Sequence, residues 1–138
     1  MPEAENLLRK SGANIIEKGQ NAFFQPSTDQ VWLPERHLFS DAANFYATGL
    51  HELVHWSGGK KRLNREMKGK FGSADYAEEE LVAELGSAFL MADLGIVGEV
   101  QHESYIASWL QALKNDKRYV FKAVSAASKA HSYLMDKA

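Results

Sequence analysis

Residues 51 to 55 read His51-Glu52-Leu53-Val54-His55, a spacing that chemistry rather than folding asks for. On an α-helix, side chains four positions apart stand one above the other. His51 and His55 can therefore offer imidazole nitrogens to one metal ion, with Glu52 beside them to carry protons. That combination implies a hydrolase built around an activated water, and zinc is the ion that a site of two nitrogens and one oxygen favours. A catalytic zinc commonly takes three protein ligands and leaves one position for water, so a third ligand is expected downstream. The chain has no Cys, which excludes both a thiolate metal site and a disulfide framework.

Four acids, Glu78, Glu79, Glu80 and Glu84, crowd one downstream segment. The macrodipole favours acids near a helix start, so a solvated acidic face accounts for Glu78 and Glu79. Glu84 lies between Ala83 and Leu85, where a carboxylate flanked by core positions needs a partner to offset its desolvation. Glu80 precedes it by one turn on the same face. A division of labour follows: Glu80 binds the metal, and Glu84 accepts the other ring N–H of a ligating histidine and fixes its tautomer. Glu84 is the alternative ligand, and Glu79 a distant third.

Two helices must hold these groups. Ser40-Asp41 offers an N-cap, Ala42 to Trp56 is broken only by Gly49, and Gly58-Gly59 can supply a left-handed C-cap. Leu50, Leu53 and Val54, with Phe45 or Tyr46 and Ala47 a turn earlier, form an apolar stripe away from the histidines. Ser73 to Leu94 reads as the second helix, capped by Ser73 or Asp75 and ended by Gly95, with Leu81, Val82, Leu85, Ala88, Phe89 and Leu90 on its buried side.

The N-terminal third supplies the β content. After a short helix from Pro2 to Lys10, the runs Ala13 to Ile16, Ala22 to Gln25 and Gln30 to Leu33 are joined by turn-forming residues, which predicts a small antiparallel meander. Gln30 to Leu33 is the candidate edge strand for pairing with an extended peptide, against a plain edge strand with Trp32 packed on the core. Two more helices are expected, Glu99 to Lys114 and Lys117 to Lys137, the second capped by Asp116. Ile106, Trp109, Leu110 and Leu113 mark the packing face of one, and Val120, Phe121, Val124, Ala127, Ala130 and Leu134 that of the other. No spacing links His37, His102 or His131 to the metal motif, so they are read as structural or exposed.

The runs Tyr46-Ala47-Thr48-Gly49-Leu50-His51-Glu52-Leu53-Val54-His55-Trp56, Arg62-Leu63-Asn64-Arg65 and Tyr76-Ala77-Glu78-Glu79-Glu80-Leu81-Val82-Ala83-Glu84-Leu85-Gly86 together resemble the zincin-like metallopeptidase domain of ArdC-type antirestriction proteins. That domain also occurs in TraC-type conjugation primases and other polyvalent proteins of plasmids and phages. The resemblance extends from Phe23-Phe24-Gln25-Pro26 to Tyr105-Ile106-Ala107-Ser108-Trp109-Leu110. It implies an α+β zincin-like fold with the motif on a central helix, and a metal held by His51, His55 and most naturally Glu80. Family members usually carry a separate single-stranded-DNA-binding domain upstream, for which this chain leaves no room, so one domain over residues 1–138 is expected.

Composition agrees with a small cytoplasmic enzyme domain. Of 138 residues 45% are hydrophobic, enough for a core. No apolar leader or membrane-length run is visible, and a net charge of −2 argues against a general polyanion binder. Lys60, Lys61, Arg62, Arg65, Lys68 and Lys70 form a basic loop that could meet nucleic-acid phosphates. A loop whose arginines pair with the neighbouring acidic helix is the favoured reading. The expected reaction is attack of a zinc-activated water on a peptide carbonyl, Glu52 taking the proton and returning it to the leaving amine, with Tyr105, Tyr76 or Tyr46 as oxyanion donor. The alternative is a non-catalytic metal-bound binding module acting in antirestriction or conjugation; hydrolysis of a non-peptide amide is a weaker third possibility.

Overall fold

In the computed structural model, which describes residues 2–67, 70–96 and 102–138, the chain runs α1 (Pro2–Lys10), β1 (Asn14–Glu17), β2 (Phe23–Gln25), β3 (Gln30–Leu33), a 3-10 turn (Arg36–Leu38), α2 (Ala42–Ser57), α3 (Ala74–Asp93), α4 (His102–Ala112) and α5 (Lys117–Met135). The α+β class expected from the sequence is what the chain adopts.

The sheet departs from a meander. Its order is β1-β3-β2, with β3 parallel to β1 and antiparallel to β2. The tight turn closed by Asp29 N–H on the Pro26 carbonyl, with Asp29 at φ 55°, folds β3 back along β2. The wider Lys18–Ala22 link leaves a gap between β1 and β2 that β3 fills: Lys18 N–H donates to the Leu33 carbonyl at 2.9 Å, and Glu35 N–H to that of Gly19. Gln30 to Leu33 is therefore the central strand and not an edge. Val31 and Leu33 reach the core, while half-buried Trp32 stacks on Phe23 with ring centroids 5.8 Å apart. The strand edge beside the metal motif belongs to β2.

Helix α2 starts where expected, Asp41 accepting the Asn44 N–H at 2.8 Å. Its end differs. Gly58 sits at φ −82°, so the predicted left-handed cap is absent. What the glycine provides is room, because a Cβ at Gly58 would lie 2.7 Å from the Arg65 guanidinium carbon. Ser73 caps α3 by accepting the Tyr76 N–H, and Gly95 at φ 66° closes it with a Schellman pair: Ile96 N–H on Met91 and Gly95 N–H on Ala92.

The crossing of α2 and α3 sets the site. A Cβ on Gly86 would lie 2.9 Å from a Val54 methyl, and Ser87 Oγ–H donates to the Ala47 carbonyl at 3.1 Å, so the two backbones approach more closely than larger side chains would allow. Ala83, Gly86 and Ser87 consequently lie deeper than Leu85, Ala88 and Phe89, which periodicity placed in the core. The other face of α3 packs on α4 and α5. On α5, Ala123, Ala127, Ala130 and Leu134 are buried, but Phe121 and Val124 are exposed and do not belong to the expected packing face. The predicted start of α4 at Glu99 lies outside the described residues. No described helix is long and apolar enough to cross a membrane.

Candidate metal centre

His51 and His55 project from consecutive turns of α2, rings 5.0 Å apart and nearly perpendicular. Glu52 stands with them, and the three bring ligand-type atoms within 4.8 Å of one another. From α3, Glu80 places one carboxylate oxygen 3.5 Å from His51 Nε2 and the other 2.5 Å from His55 Nε2. Both Nε2 atoms thus turn toward one carboxylate, a cluster of two nitrogens and one oxygen.

The other nitrogen of each ring is tied down. His51 Nδ1–H donates to Glu84 Oε2 at 2.9 Å, as the sequence reading expected of Glu84. His55 Nδ1–H donates to Glu79 Oε2 at 2.7 Å, which sequence reasoning missed. Glu79 is not part of a solvated face. Its carboxylate is gripped by Arg65, Nε to one oxygen at 2.9 Å and Nη2 to the other at 3.0 Å, and Arg65 also donates to the Val54 carbonyl and Ser57 Oγ. His102, expected to be unconnected, donates from Nδ1 to Glu84 Oε1 at 2.8 Å. His131 meets Asp93 at the far end of α3, and His37 lies exposed near Glu35, both away from the cluster. The signal for Glu79 was present, since it adjoins Glu80 and a helix can present neighbouring acids to two rings; nothing local marked His102.

An imidazole with carboxylates at both nitrogens is held protonated. Burial opposes the charge on His51, but hydrogen bonds to Glu80 and Glu84 outweigh it and push the ring up to about 9. Burial likewise opposes charge on His55, yet Glu79 and Glu80 push it up to about 10. Burial would raise the Glu79, Glu80 and Glu84 carboxyls, but their histidine and arginine partners pull each below the usual range. Burial moves the Glu52 carboxyl upward, against the opposing charges of His55 and His51. The donor set suits a divalent cation: with both Nδ1–H bonds fixed, loss of one proton per ring frees each Nε2 as a ligand beside Glu80.

Two hollows meet at the cluster, sharing Glu52 and Glu80. One, of about 310 Å³, is walled by Phe23, Phe24 and Pro26 at the β2 end, with Met67 and Tyr76. The other, of about 660 Å³, is more polar and lies between the first turns of α2, with Ser40, Asp41, Asn44 and Thr48, and Tyr105 and Trp109 of α4. Tyr76 lines the smaller hollow and Tyr105 the larger. Tyr46 lines neither: it is buried, its hydroxyl donating to Glu5 of α1 at 2.9 Å, so it is no oxyanion donor.

The two arginines of the basic loop are engaged within the chain. Arg62 grips Asp29 with both terminal nitrogens, donates Nε–H to the Trp56 carbonyl at 2.6 Å and lies 4.0 Å over the Trp56 ring. Arg65 is spent on Glu79. Lys68 lies outside the described residues.

Residues 2–126 match a family described as zincin-like metallopeptidase. The chain is 45% identical over 134 residues to DNA primase TraC of Escherichia coli, covering 96% of this chain and 9% of that protein. It is 44% identical over 142 residues to the uncharacterized protein y4eC of Sinorhizobium fredii, covering 97% and 46%. Among solved structures it is similar to the antirestriction protein ArdC from plasmid R388. The TM-score is 0.83 against the Mn(II)-bound form at 38% identity, covering 99% of this chain and 52% of that one. Against the metal-free form it is 0.80. The chain spans under half the length of these two curated relatives. Motif, fold and these matches agree that the chain belongs to the zincin-like metallopeptidase family.

Proposed function

We propose that the chain is a metal-dependent, peptidase-type hydrolase, with zinc as its ion and antirestriction or DNA transfer of mobile elements as its setting. The observation that carries this reading is the convergence of His51 Nε2, His55 Nε2 and Glu80, each ring backed by its own carboxylate, next to the buried Glu52 at the meeting of two hollows. His51, His55 and Glu80 would hold the ion, which would supply Lewis acidity toward a carbonyl and lower the pKa of a water. Glu52 takes the proton of the attacking water and returns it to the leaving amine, a role its raised pKa suits. Tyr105, from the larger hollow, donates to the developing oxyanion; Tyr76 is its counterpart on the β2 side. A peptide entering the smaller hollow meets the β2 edge, which can add it as a further strand. The setting rests on the likeness to ArdC and TraC, and Mn(II) in the ArdC structure makes that ion the first competitor to zinc.

The test is metal content by elemental mass spectrometry, paired with a peptide-cleavage and an antirestriction assay. The proteins are wild type, His51→Ala, Glu80→Ala, Glu84→Ala and Glu52→Gln. The expected result is near-stoichiometric metal that is lost in His51→Ala and Glu80→Ala and kept in Glu52→Gln, with Glu52→Gln inactive in both assays. Full antirestriction activity in Glu52→Gln would overturn the hydrolase in favour of a metal-bound binding module.

A further inference from the structure

Glu84 is shared. One oxygen accepts from His51 of α2 and the other from His102, the first residue of α4, at 2.9 and 2.8 Å. His102 Nε2 is buried and has no hydrogen-bond partner among the described residues, so this ring is desolvated with its contact to Glu84 as the compensation. The opposite side of the site repeats the pattern. His55 is backed by Glu79, and Glu79 is held on both oxygens by Arg65. Each ligand-type imidazole therefore has a carboxylate behind it, and each carboxylate a second donor from another part of the chain.

We propose that His102 is a positioning residue of the metal centre, holding the Glu84 carboxylate in the orientation that keeps His51 Nε2 turned toward the ion. A glutamate bound at one oxygen retains freedom about its terminal bonds, and losing that freedom only on metal binding weakens the ion. With both oxygens engaged, Glu84 is ordered in advance. The same contact seats α4: Tyr105, one turn beyond His102, and Trp109, a turn further, line the hollow that His51, Glu52, Glu80 and Glu84 also line. Arg65 does for His55 what His102 does for His51.

This inference rests on the metal-centre reading, and one experiment separates the two. Zn2+ affinity is measured by competition with a chromophoric chelator for wild type, His51→Ala, His102→Ala, His102→Asn, Glu84→Gln and the double variant Glu84→Gln/His102→Ala, alongside thermal unfolding of each metal-free protein. Outer partners of metal ligands are commonly worth 10- to 100-fold in affinity, so His102→Ala should weaken Zn2+ by about tenfold. His102→Asn, whose amide offers a donor near the place of Nδ1, should recover most of that loss. Because His102 acts through Glu84, the double variant should bind no more weakly than Glu84→Gln alone. Wild-type affinity in His102→Ala, a loss that Asn fails to recover, or losses that add in the double variant would each overturn the role given to His102. Undiminished Zn2+ binding by His51→Ala would instead overturn the metal centre itself.

Discussion

His55 differs from an ordinary helix histidine in what stands behind its ring. Glu79 fixes the Nδ1 proton and Arg65 fixes Glu79, so the Nε2 lone pair is aimed before any ion arrives. Removing that support without removing a ligand should weaken the ion but leave stoichiometry intact. Glu79→Gln, which keeps size and loses charge, is expected to lower Zn2+ affinity about 10- to 100-fold, and Arg65→Lys, which cannot grip both oxygens, by a smaller factor. Titration against a competing chelator reads both, and unchanged affinity in Glu79→Gln would remove the need for a carboxylate behind His55. At this scale the sequence was legible where spacing is local. His51, Glu52 and His55 sit on one helix and declare themselves through the four-residue repeat. Glu84 was found because an acid amid core positions demands a partner. Glu79 was misread because the macrodipole gave a sufficient local reason for an acid there. His102 was beyond reach, since its relevance depends on where α4 docks.

Between elements, the site is the product of one close crossing. Val54 and Gly86 meet where α2 passes α3, and that contact brings Glu80 and Glu84 within hydrogen-bond range of the histidines. Gly86→Ala adds a methyl less than 3 Å from a Val54 methyl. Overpacking of this kind costs about 1–3 kcal/mol, against roughly 1 kcal/mol recovered from helix propensity. A net destabilisation of up to about 2 kcal/mol is expected, readable as a lower denaturant midpoint. Val54→Ala should cost less in the Gly86→Ala background than alone, because it makes room for the new methyl; simple additivity would show that the crossing has slack. The elements themselves were largely legible from caps and periodicity, including Asp41, Ser73 and Gly95. Strand order was not. Turn residues announce that a chain reverses, but the choice of which strand lies between the other two is made by the burial of Val31 and Leu33 and by the wide Lys18–Ala22 link, neither of which has a local signature.

For the molecule as a whole, the cluster links metal to protons. His51 and His55, pushed up to about 9 and about 10, carry protons at neutral pH in the metal-free protein, and an ion can take Nε2 only by displacing them. The sign is fixed on both sides of the equilibrium. Raised imidazole pKa values stabilise the metal-free fold below about 6.5, the unfolded value, and this contribution fades as pH rises through about 9 to 10. Metal binding runs the other way and strengthens with pH over the same range, because fewer protons remain to be displaced. With two protons displaced per ion, apparent affinity should rise about 100-fold per pH unit near neutrality, or about 2–3 kcal/mol of added stabilisation at fixed free metal. The thermal shift produced by Zn2+ should therefore widen steadily from pH 6 to pH 8, and calorimetry in buffers of different ionisation enthalpy should count close to two protons released. A slope of one proton would assign the ion to a single imidazole. A thermal shift that does not change with pH would mean that neither ring exchanges its proton for metal, and the cluster would then be an ion-pair lattice holding α2 to α3 and nothing more.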